Sequence, residues 1–272
     1  MRLFVHTIFL LFLLSSFFSC AEKKRDAKTY LEEAGQAYKE SNYTLAKLKI
    51  DSIKILFPKS FDEISAGFAL MQQVRMSENR RNIIYCDSML REQYNQLSEM
   101  LTKFDFVRDD RYQEFGEYYP KIYPHRTSLN QNGLRSGVGE KGVLFIESIL
   151  SGTVIQHHKI KVVAGDGSFA ESLAVSSDGL NYRFRTLDKS YEIVRFIGNN
   201  ENGVARFVYT FQDDPLKVEF IGKRTLAIAL SDAAKQGIVH SFKLSALLLN
   251  IEQLKFEKEK SETLLRYLQS KE

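Results

Sequence analysis

The stretch that decides the fold is GVLFIESILSGTVIQHHKIKVVAGDGSF, residues 142–169. It contains short runs of Val, Ile, Leu and Phe that are separated by Gly152 and by Gly165-Asp166-Gly167. Short apolar runs bounded by turn residues are typical of β-strands. Connections this short join antiparallel neighbours, because a parallel crossover needs a dozen or more residues. The stretch therefore predicts an antiparallel sheet.

The same pattern continues to residue 230. Polar residues alternate with Tyr182 and Phe184, which indicates that one face of that strand is solvated. About seven strands are expected, and either a sandwich or a strongly bent open sheet accommodates them. Strands are predicted near 142–150, 153–163, 169–175, 180–186, 191–197, 204–211 and 216–221, with a last one near 225–230.

Helical periodicity replaces this pattern on both sides of the sheet. Upstream, apolar residues recur every three or four positions over 28–57, and Pro58 ends that helix. Two more helices are predicted near 61–76 and 79–104, as a second pair stacked on the first. Downstream, Gly237 is the one helix breaker between the Ser231 cap and residue 272, which predicts a long C-terminal helix. The fold class is therefore α+β, with N-terminal antiparallel helical hairpins, a central antiparallel β-sheet and a long C-terminal α-helix.

The first twenty residues have the pattern of an export signal. Arg2 precedes an apolar run at 3–18, which is shorter than the roughly twenty residues of a membrane-spanning helix. Ser19, Cys20 and Ala21 follow, and resemble the lipobox of bacterial lipoproteins, although Phe17 and Phe18 depart from its usual residues.

The lipobox resemblance implies that Cys20 carries acyl chains and anchors the chain to the membrane of the cell envelope. Resemblance to lipoprotein sorting makes Ala21 after the cysteine favour the outer membrane. Retention at the inner membrane and an uncleaved anchor helix are the alternatives.

The first helical pair resembles a tetratricopeptide repeat, in which small residues lie where two helices cross and a proline closes the repeat. Glu33 and Ile50 depart from the pattern, so the repeat is degenerate. The resemblance implies a small peptide-binding groove, and simple packing of the helices on one another is the alternative. The residues that carry it are Tyr30, Ala34, Tyr43, Ala46 and Pro58.

The arrangement as a whole resembles uncharacterised lipoproteins of Bacteroides-type bacteria. The resemblance is carried by Ser19-Cys20, by the degenerate repeat at 43–58, by Ala164-Gly165-Asp166-Gly167 and by the ending at 231–272. It implies a location in the cell envelope and carries no activity.

An aromatic-rich segment at 105–141 joins the helices to the sheet. Large rings with a polar hydroxyl suit a surface that binds a ligand or a partner, and four tyrosines are the candidates. The alternative is that the rings pack the two parts of the chain together. The candidate residues are Tyr112, Tyr118, Tyr119 and Tyr123.

The sequence does not support a nucleic-acid partner, a dinucleotide site or a metal site. The formal net charge is +4 and the basic residues are scattered among acids, so no nucleic-acid partner is expected. The glycines at 137–142 have dinucleotide-binding spacing, but a predicted strand follows them where that site needs a helix. His157 and His158 are neighbours on a predicted strand and point to opposite faces, so they cannot easily share a metal ion. No cofactor, metal or catalytic residue is predicted.

These patterns predict a membrane-anchored lipoprotein that acts as a non-enzymatic protein-interaction or scaffold module, with a protein partner in the cell envelope. The first alternative is a lipoprotein that binds a glycan or peptide, and the second is an envelope hydrolase built around a histidine, an acid and a hydroxyl. The oligomeric state is left open. The predicted segments are a signal peptide (1–19), a tether (20–27), a tetratricopeptide-like helical region (28–104), an aromatic junction (105–141), an antiparallel β domain (142–230) and a C-terminal helix (231–272).

Overall fold

The structure, a computed structural model, describes residues 26–111, 113–123, 129 and 131–271. The α+β class is confirmed, with helices before and after two antiparallel sheets. The chain divides into two compact units, Met1–Asn82 with Ser261–Glu272 and Ile83–Lys260, called here the first and second units. These bounds differ from the predicted segments, because the third and the last helix each contribute residues to both units.

The helices are α1 (Ala27–Lys39), α2 (Tyr43–Leu56), α3 (Phe61–Leu101), α4 (Val204–Thr210) and α5 (Asp232–Gln269). The strands are β1 (Phe104–Val107), β2 (Glu117–Pro120), β3 (Gly133–Gly139), β4 (Leu144–Ser151), β5 (Lys159–Ala164), β6 (Phe169–Glu171), β7 (Asn181–Arg185), β8 (Ser190–Ile197), β9 (Leu216–Ile221) and β10 (Thr225–Ala229).

Polar caps begin the first two helices. The carboxylate of Asp26 accepts the backbone N–H of Thr29 at 2.8 Å, and the amide oxygen of Asn42 accepts that of Leu45 at 3.2 Å. Each cap satisfies a donor that the first turn of a helix leaves without a partner. The helices then bury small and apolar side chains together: Ala34, Ala37, Tyr43, Ala46, Ile50, Met71 and Val74.

The prediction of two helices near 61–76 and 79–104 is wrong, because α3 is continuous. Ser77 and Glu78 lie inside it, and neither is a residue that breaks a helix. Their side chains contact the first helical pair. The Ser77 hydroxyl lies 3.0 Å from that of Tyr38, and Glu78 forms an ion pair with Lys47 at 2.8 Å. The predicted second helical pair is therefore a single helix.

The second unit contains both sheets. Six strands pair in the order β1-β2-β3-β4-β8-β7, and four in the order β10-β9-β5-β6. β2 and β3 arise from the segment predicted as an aromatic junction, and β1 begins one residue before that segment. The glycines at 137–142 lie in β3 and in the turn to β4, so strands flank them on both sides. The largest fully buried side chains of this unit include Phe145, Phe196, Phe220, Leu134, Ile146 and Ile160.

The strand predicted at 204–211 is wrong, because this segment forms α4. Asn202 and Gly203 have φ angles of 51° and 82°, which turn the chain away from an extended path. The Glu201 carboxylate then accepts the backbone N–H groups of Gly203 and Ala205 and satisfies donors at the start of the helix. The predicted start of the last helix is confirmed, because the Ser231 hydroxyl accepts the N–H of Ala234 at 3.2 Å.

Candidate functional site

Two of the predicted site residues, Cys20 and Tyr112, lie outside the described residues. Tyr118 and Tyr119 are neighbours on β2 and point to opposite faces. The Tyr118 ring packs against Phe106, with centroids 4.9 Å apart, and is half-buried, whereas Tyr119 is only 6% exposed. Tyr123 follows β2 and is also half-buried. The structure therefore does not place Tyr118 and Tyr119 on one shared surface.

Tyr119 belongs to a buried polar network. Its hydroxyl donates to Glu117 at 2.6 Å, and burial raises the pKa of this phenol. Glu117 also accepts from Arg195 at 2.6 Å. Arg195 lies 3.7 Å from Glu147, which forms an ion pair with Arg135, and that pair is almost fully buried. These contacts give Tyr119 a structural role in the sheet.

A second buried network brings together a hydroxyl, an imidazole and a carboxylate. The Ser148 hydroxyl lies 2.6 Å from Nε2 of His157, and Nδ1 of the same ring lies 2.6 Å from Glu192. Ser148 and Glu192 are on the adjacent strands β4 and β8, whereas His157 comes from the loop before β5. This is the order of groups that activates a serine nucleophile in hydrolases.

Glu192 also holds the backbone of the loop that carries the histidine. Its carboxylate accepts the N–H groups of Ile155 at 2.5 Å, Gln156 at 2.7 Å and His157 at 2.8 Å. The loop needs such support because Gln156 has a φ of 58°, a conformation that side chains rarely adopt. Burial opposes ionisation of Glu192, but the hydrogen bonds from His157 and Gln156 outweigh it and lower its pKa to about 2.

Burial decides how these three residues are interpreted. Ser148, His157 and Glu192 are each 0% exposed. A nucleophile must meet its substrate at about 3 Å, and in this conformation the Ser148 hydroxyl has no exposed surface. A neighbouring cleft of about 460 Å³ is lined by His158 and Asn181. We therefore interpret the buried network as a clamp that fixes the loop before β5, and call it the Glu192 clamp.

We expect Ser148 to stay unmodified when the native protein is incubated with a fluorophosphonate, because its hydroxyl is buried. Intact-mass spectrometry measures the adduct, and a known serine hydrolase in the same tube confirms that the reagent is active. An adduct at Ser148 that forms before unfolding would contradict this interpretation and support the hydrolase alternative.

Sequence reasoning missed Ser148 and Glu192, and considered His157 mainly as a metal ligand. The sequence did contain a signal for this buried network. Ser148 lies between Ile146 and Leu150 on the inward face of β4, and Glu192 precedes Val194 on the inward face of β8. Polar residues at inward positions of apolar strands indicate a buried polar network, because each must find a hydrogen-bond partner.

An open groove of about 580 Å³ is the candidate ligand site of the second unit. It lies between the C-terminal part of α3 and the middle of α5, with Tyr209 of α4 at one side. Its lining combines two aromatic rings, two lysines and several amides. The lining residues are Gln93, Gln96, Glu99, Met100, Lys103, Tyr209, Phe242, Lys243, Ala246, Leu247 and Asn250.

The comparisons with known proteins give no match. No protein-family model matches the chain, and no curated protein or solved structure does. The tetratricopeptide-like repeat and the Bacteroides-type lipoprotein therefore stay predictions from sequence.

Within the part of the chain that the structure describes, no helix is both long and apolar enough to cross a membrane. The His, Cys, Asp and Glu side chains of these residues form no group of three or more that could hold a metal ion. Cys86, within that part of the chain, is a buried free thiol.

Proposed function

We propose that this protein is a lipid-anchored lipoprotein of the cell envelope, held by Cys20, that acts as a non-enzymatic protein-interaction module. The observation that carries the interaction is an exposed apolar face on α2 in the first unit. The Ser19-Cys20 signal supports the anchor. Burial of the Glu192 clamp supports a role outside catalysis.

The exposed face consists of Leu45, Leu48, Ile55 and Leu56, and is called here the outer α2 face. These side chains are 37%, 61%, 75% and 55% exposed. At 3.6 residues per turn they lie within an arc of about 100°. The opposite side of α2 is already buried in the first unit. Covering a fully exposed leucine or isoleucine contributes about 1.5 to 3 kcal/mol, so this face favours association.

Charges beside the outer α2 face favour a protein partner over a lipid surface. Helices that lie on membranes present unpaired cations to the lipid headgroups. Here Lys47 forms an ion pair with Glu78 at 2.8 Å, and Lys49 forms one with Glu33 at 2.5 Å. Lys49, the α2 lysine next to this face, therefore has an acidic partner, and so has Lys47. A protein surface with an apolar centre and a polar rim is the complement that such a face needs.

We expect the double variant Leu48→Glu/Ile55→Glu to lose its partner while keeping its fold, because both side chains are exposed. Crosslinked envelopes are solubilised, the tagged lipoprotein is purified, and the partner-to-bait ratio is measured by mass spectrometry. The ratio should fall at least tenfold. Leu187→Glu is the matched control, because Leu187 is fully exposed in the second unit and lies outside this face. Its ratio should be unchanged.

Equal ratios for the wild type and the double variant would contradict the role of the outer α2 face. A wild-type protein that purifies alone, with good recovery of bait, would contradict the interaction module itself. The same samples test the anchor, because the mature N-terminal peptide should begin at Cys20 and carry the mass of its acyl chains. A peptide without acyl chains would overturn the anchor and leave the test of the face intact.

A second candidate function is binding of a glycan or peptide ligand. The groove at Tyr209 and Phe242 favours it, because it joins aromatic rings to charged and amide groups in one concavity. With Tyr119 buried, the groove is a better candidate for this function than the tyrosines at 118–123.

A further inference from the structure

The groove of the second unit has three chemically different regions. Its volume, about 580 Å³, is within the range of about 300 to 1,000 Å³ that small-molecule sites occupy. The α-helices that line it are long and continuous there, so the groups at its surface have fixed backbones. The first region is aromatic, the second cationic, and the third carries amides.

The aromatic region consists of Tyr209 on α4 and Phe242 on α5. Their ring centroids lie 5.1 Å apart, and the planes are inclined by 32°. Both rings are half-buried, so each is held by the fold while part of it faces the groove. Such rings offer flat apolar area with little conformational entropy to lose. The apolar face of a sugar ring stacks on surfaces of this kind.

The cationic region is formed by Lys103 after α3 and Lys243 on α5. Neither ammonium group forms an ion pair with a carboxylate among the described residues. Lys243 lies 5.6 Å from the centre of the Tyr209 ring, so one cation is next to the aromatic region. Glu99 also lines the groove, so Lys103, Lys243 and Glu99 together carry a net charge of +1. Two lysines without carboxylate partners that line one groove favour an anionic group.

His240 lies close enough to report on this region. Its Nδ1 is buried and has no hydrogen-bond partner among the described residues. Burial lowers the pKa of His240, and the charges of Lys103 and Lys243 lower it further. An anion bound at Lys103 and Lys243 would offset their charges, so we expect the pKa of His240 to rise when the cationic region is occupied.

The amide region consists of Gln93 and Asn250. Asn250 donates to the side-chain oxygen of Gln93 at 3.0 Å. This bond orients both amides and leaves the Gln93 NH₂ and the Asn250 oxygen for other partners. A donor and an acceptor held side by side match the hydroxyl groups of a sugar.

We infer that this groove binds an acidic sugar, with its ring on Tyr209 and Phe242, its hydroxyls at Gln93 and Asn250, and its carboxylate or phosphate at Lys103 and Lys243. The inference rests on the second candidate function, ligand binding. A neutral sugar would leave the two lysines without a role, and a purely apolar ligand would cover the amides without bonding them, which costs free energy.

The experiment uses the full lipidated chain in detergent micelles, with ¹³C-labelled histidine, and follows the His240 resonance by NMR. The variant His240→Gln assigns the resonance. Three probes are titrated separately: D-glucuronate, D-glucose 6-phosphate and D-glucose. We expect saturable shifts and a raised His240 pKa with one or both acidic sugars, and at least tenfold weaker binding of glucose. A response to one acid alone identifies that acid as the carboxylate or the phosphate.

Variants separate charge from stacking. Lys103→Gln/Lys243→Gln should weaken binding of the acidic sugar at least tenfold, whereas Phe242→Ala should weaken acidic and neutral sugars alike. Lys260→Gln is the matched control, because it removes an exposed lysine from the same helix outside the groove, and it should change nothing. Equal binding of glucose and both acidic sugars would contradict the preference for an acidic sugar but would still support ligand binding in the groove. No saturable response to any of the three probes would overturn the sugar site.

Discussion

We expect Glu192→Gln to lower the free energy of unfolding of the second unit by about 3 kcal/mol, the upper end of the range for leaving a buried hydrogen-bonding group without its partner. Glu192 is fully buried. Its two oxygens accept hydrogen bonds from three backbone N–H groups and from Nδ1 of His157. Glutamine keeps the shape but replaces one oxygen with a donor. At least one buried N–H therefore loses its acceptor, which is costly because water cannot replace it.

The measurement is denaturant unfolding of the wild type and the variant, followed by circular dichroism. Glu252→Gln is the matched control, because Glu252 makes an exposed ion pair with Lys255 at 2.8 Å, and exposed pairs contribute about 0 to 1 kcal/mol. A loss for Glu192→Gln no larger than that of the control would contradict the clamp.

The effect of Glu192 should also depend on pH, which keeps the test valid if the variant folds poorly. The folded-state pKa of about 2 is lower than the ordinary value of 4.5. A carboxyl with a lowered pKa stabilises the fold fully above its unfolded pKa and progressively less as pH falls. Wild-type stability should therefore fall between pH 4.5 and pH 2, and this part of the fall should be missing in Glu192→Gln. Parallel curves for the two proteins would contradict the assignment.

The second large effect is expected for Gly222→Ala, which should destabilise the second unit by about 3 kcal/mol, at the upper end for overpacking. A Cβ at Gly222 would lie 2.4 Å from the carbonyl oxygen of Ile155 and 2.7 Å from the carbonyl carbon of Gln156. These are backbone atoms, so no side-chain rotation relieves the overlap. The Ile155 oxygen also accepts the N–H of Lys223 at 2.8 Å, and this bond would be strained.

Gly165→Ala is the matched control for Gly222→Ala. A Cβ at Gly165 would meet no atom of the described residues within 4 Å, and the φ of Gly165 is not in the left-handed region. The free energy of unfolding of the Gly165→Ala variant should stay within about 0.5 kcal/mol of that of the wild type. The loop that Gly222 contacts is the one that Glu192 holds, so the double variant Gly222→Ala/Glu192→Gln should lose less than the sum of the two single losses. Exact additivity would show that the two contacts are independent.

The local sequence predicted a helix or a strand correctly where its residues favoured only one of the two. The run at 142–169 gave strands because β-branched residues and glycine turns agree, and Ser231 capped the last helix as expected. The segment 204–211 failed because its aromatic residues suit a strand, whereas the backbone turn at Asn202 and Gly203 and the Glu201 side chain start a helix. The spacing of apolar residues along the sequence does not reveal such contacts.

The candidate sites were harder to predict than the elements. Ser148, His157 and Glu192 come from two strands and a loop that are separated in sequence, so only the strand pairing brings them together. The groove likewise joins α3, α4 and α5. Tyr119 was a candidate surface residue because tyrosine suits binding surfaces, with packing between the two parts of the chain as the alternative. Its register on β2 directs its ring toward Phe145.

The central claim, that the outer α2 face binds a protein of the envelope, is tested most directly by placing a photo-crosslinking amino acid at Ile55 in living cells. The control position is Gln73, an exposed polar residue on α3 of the same unit. Mass spectrometry then identifies the adducts. We predict one dominant protein adduct from position 55 that is absent from position 73. Adducts with lipid alone, or the same scattered proteins from both positions, would contradict the claim.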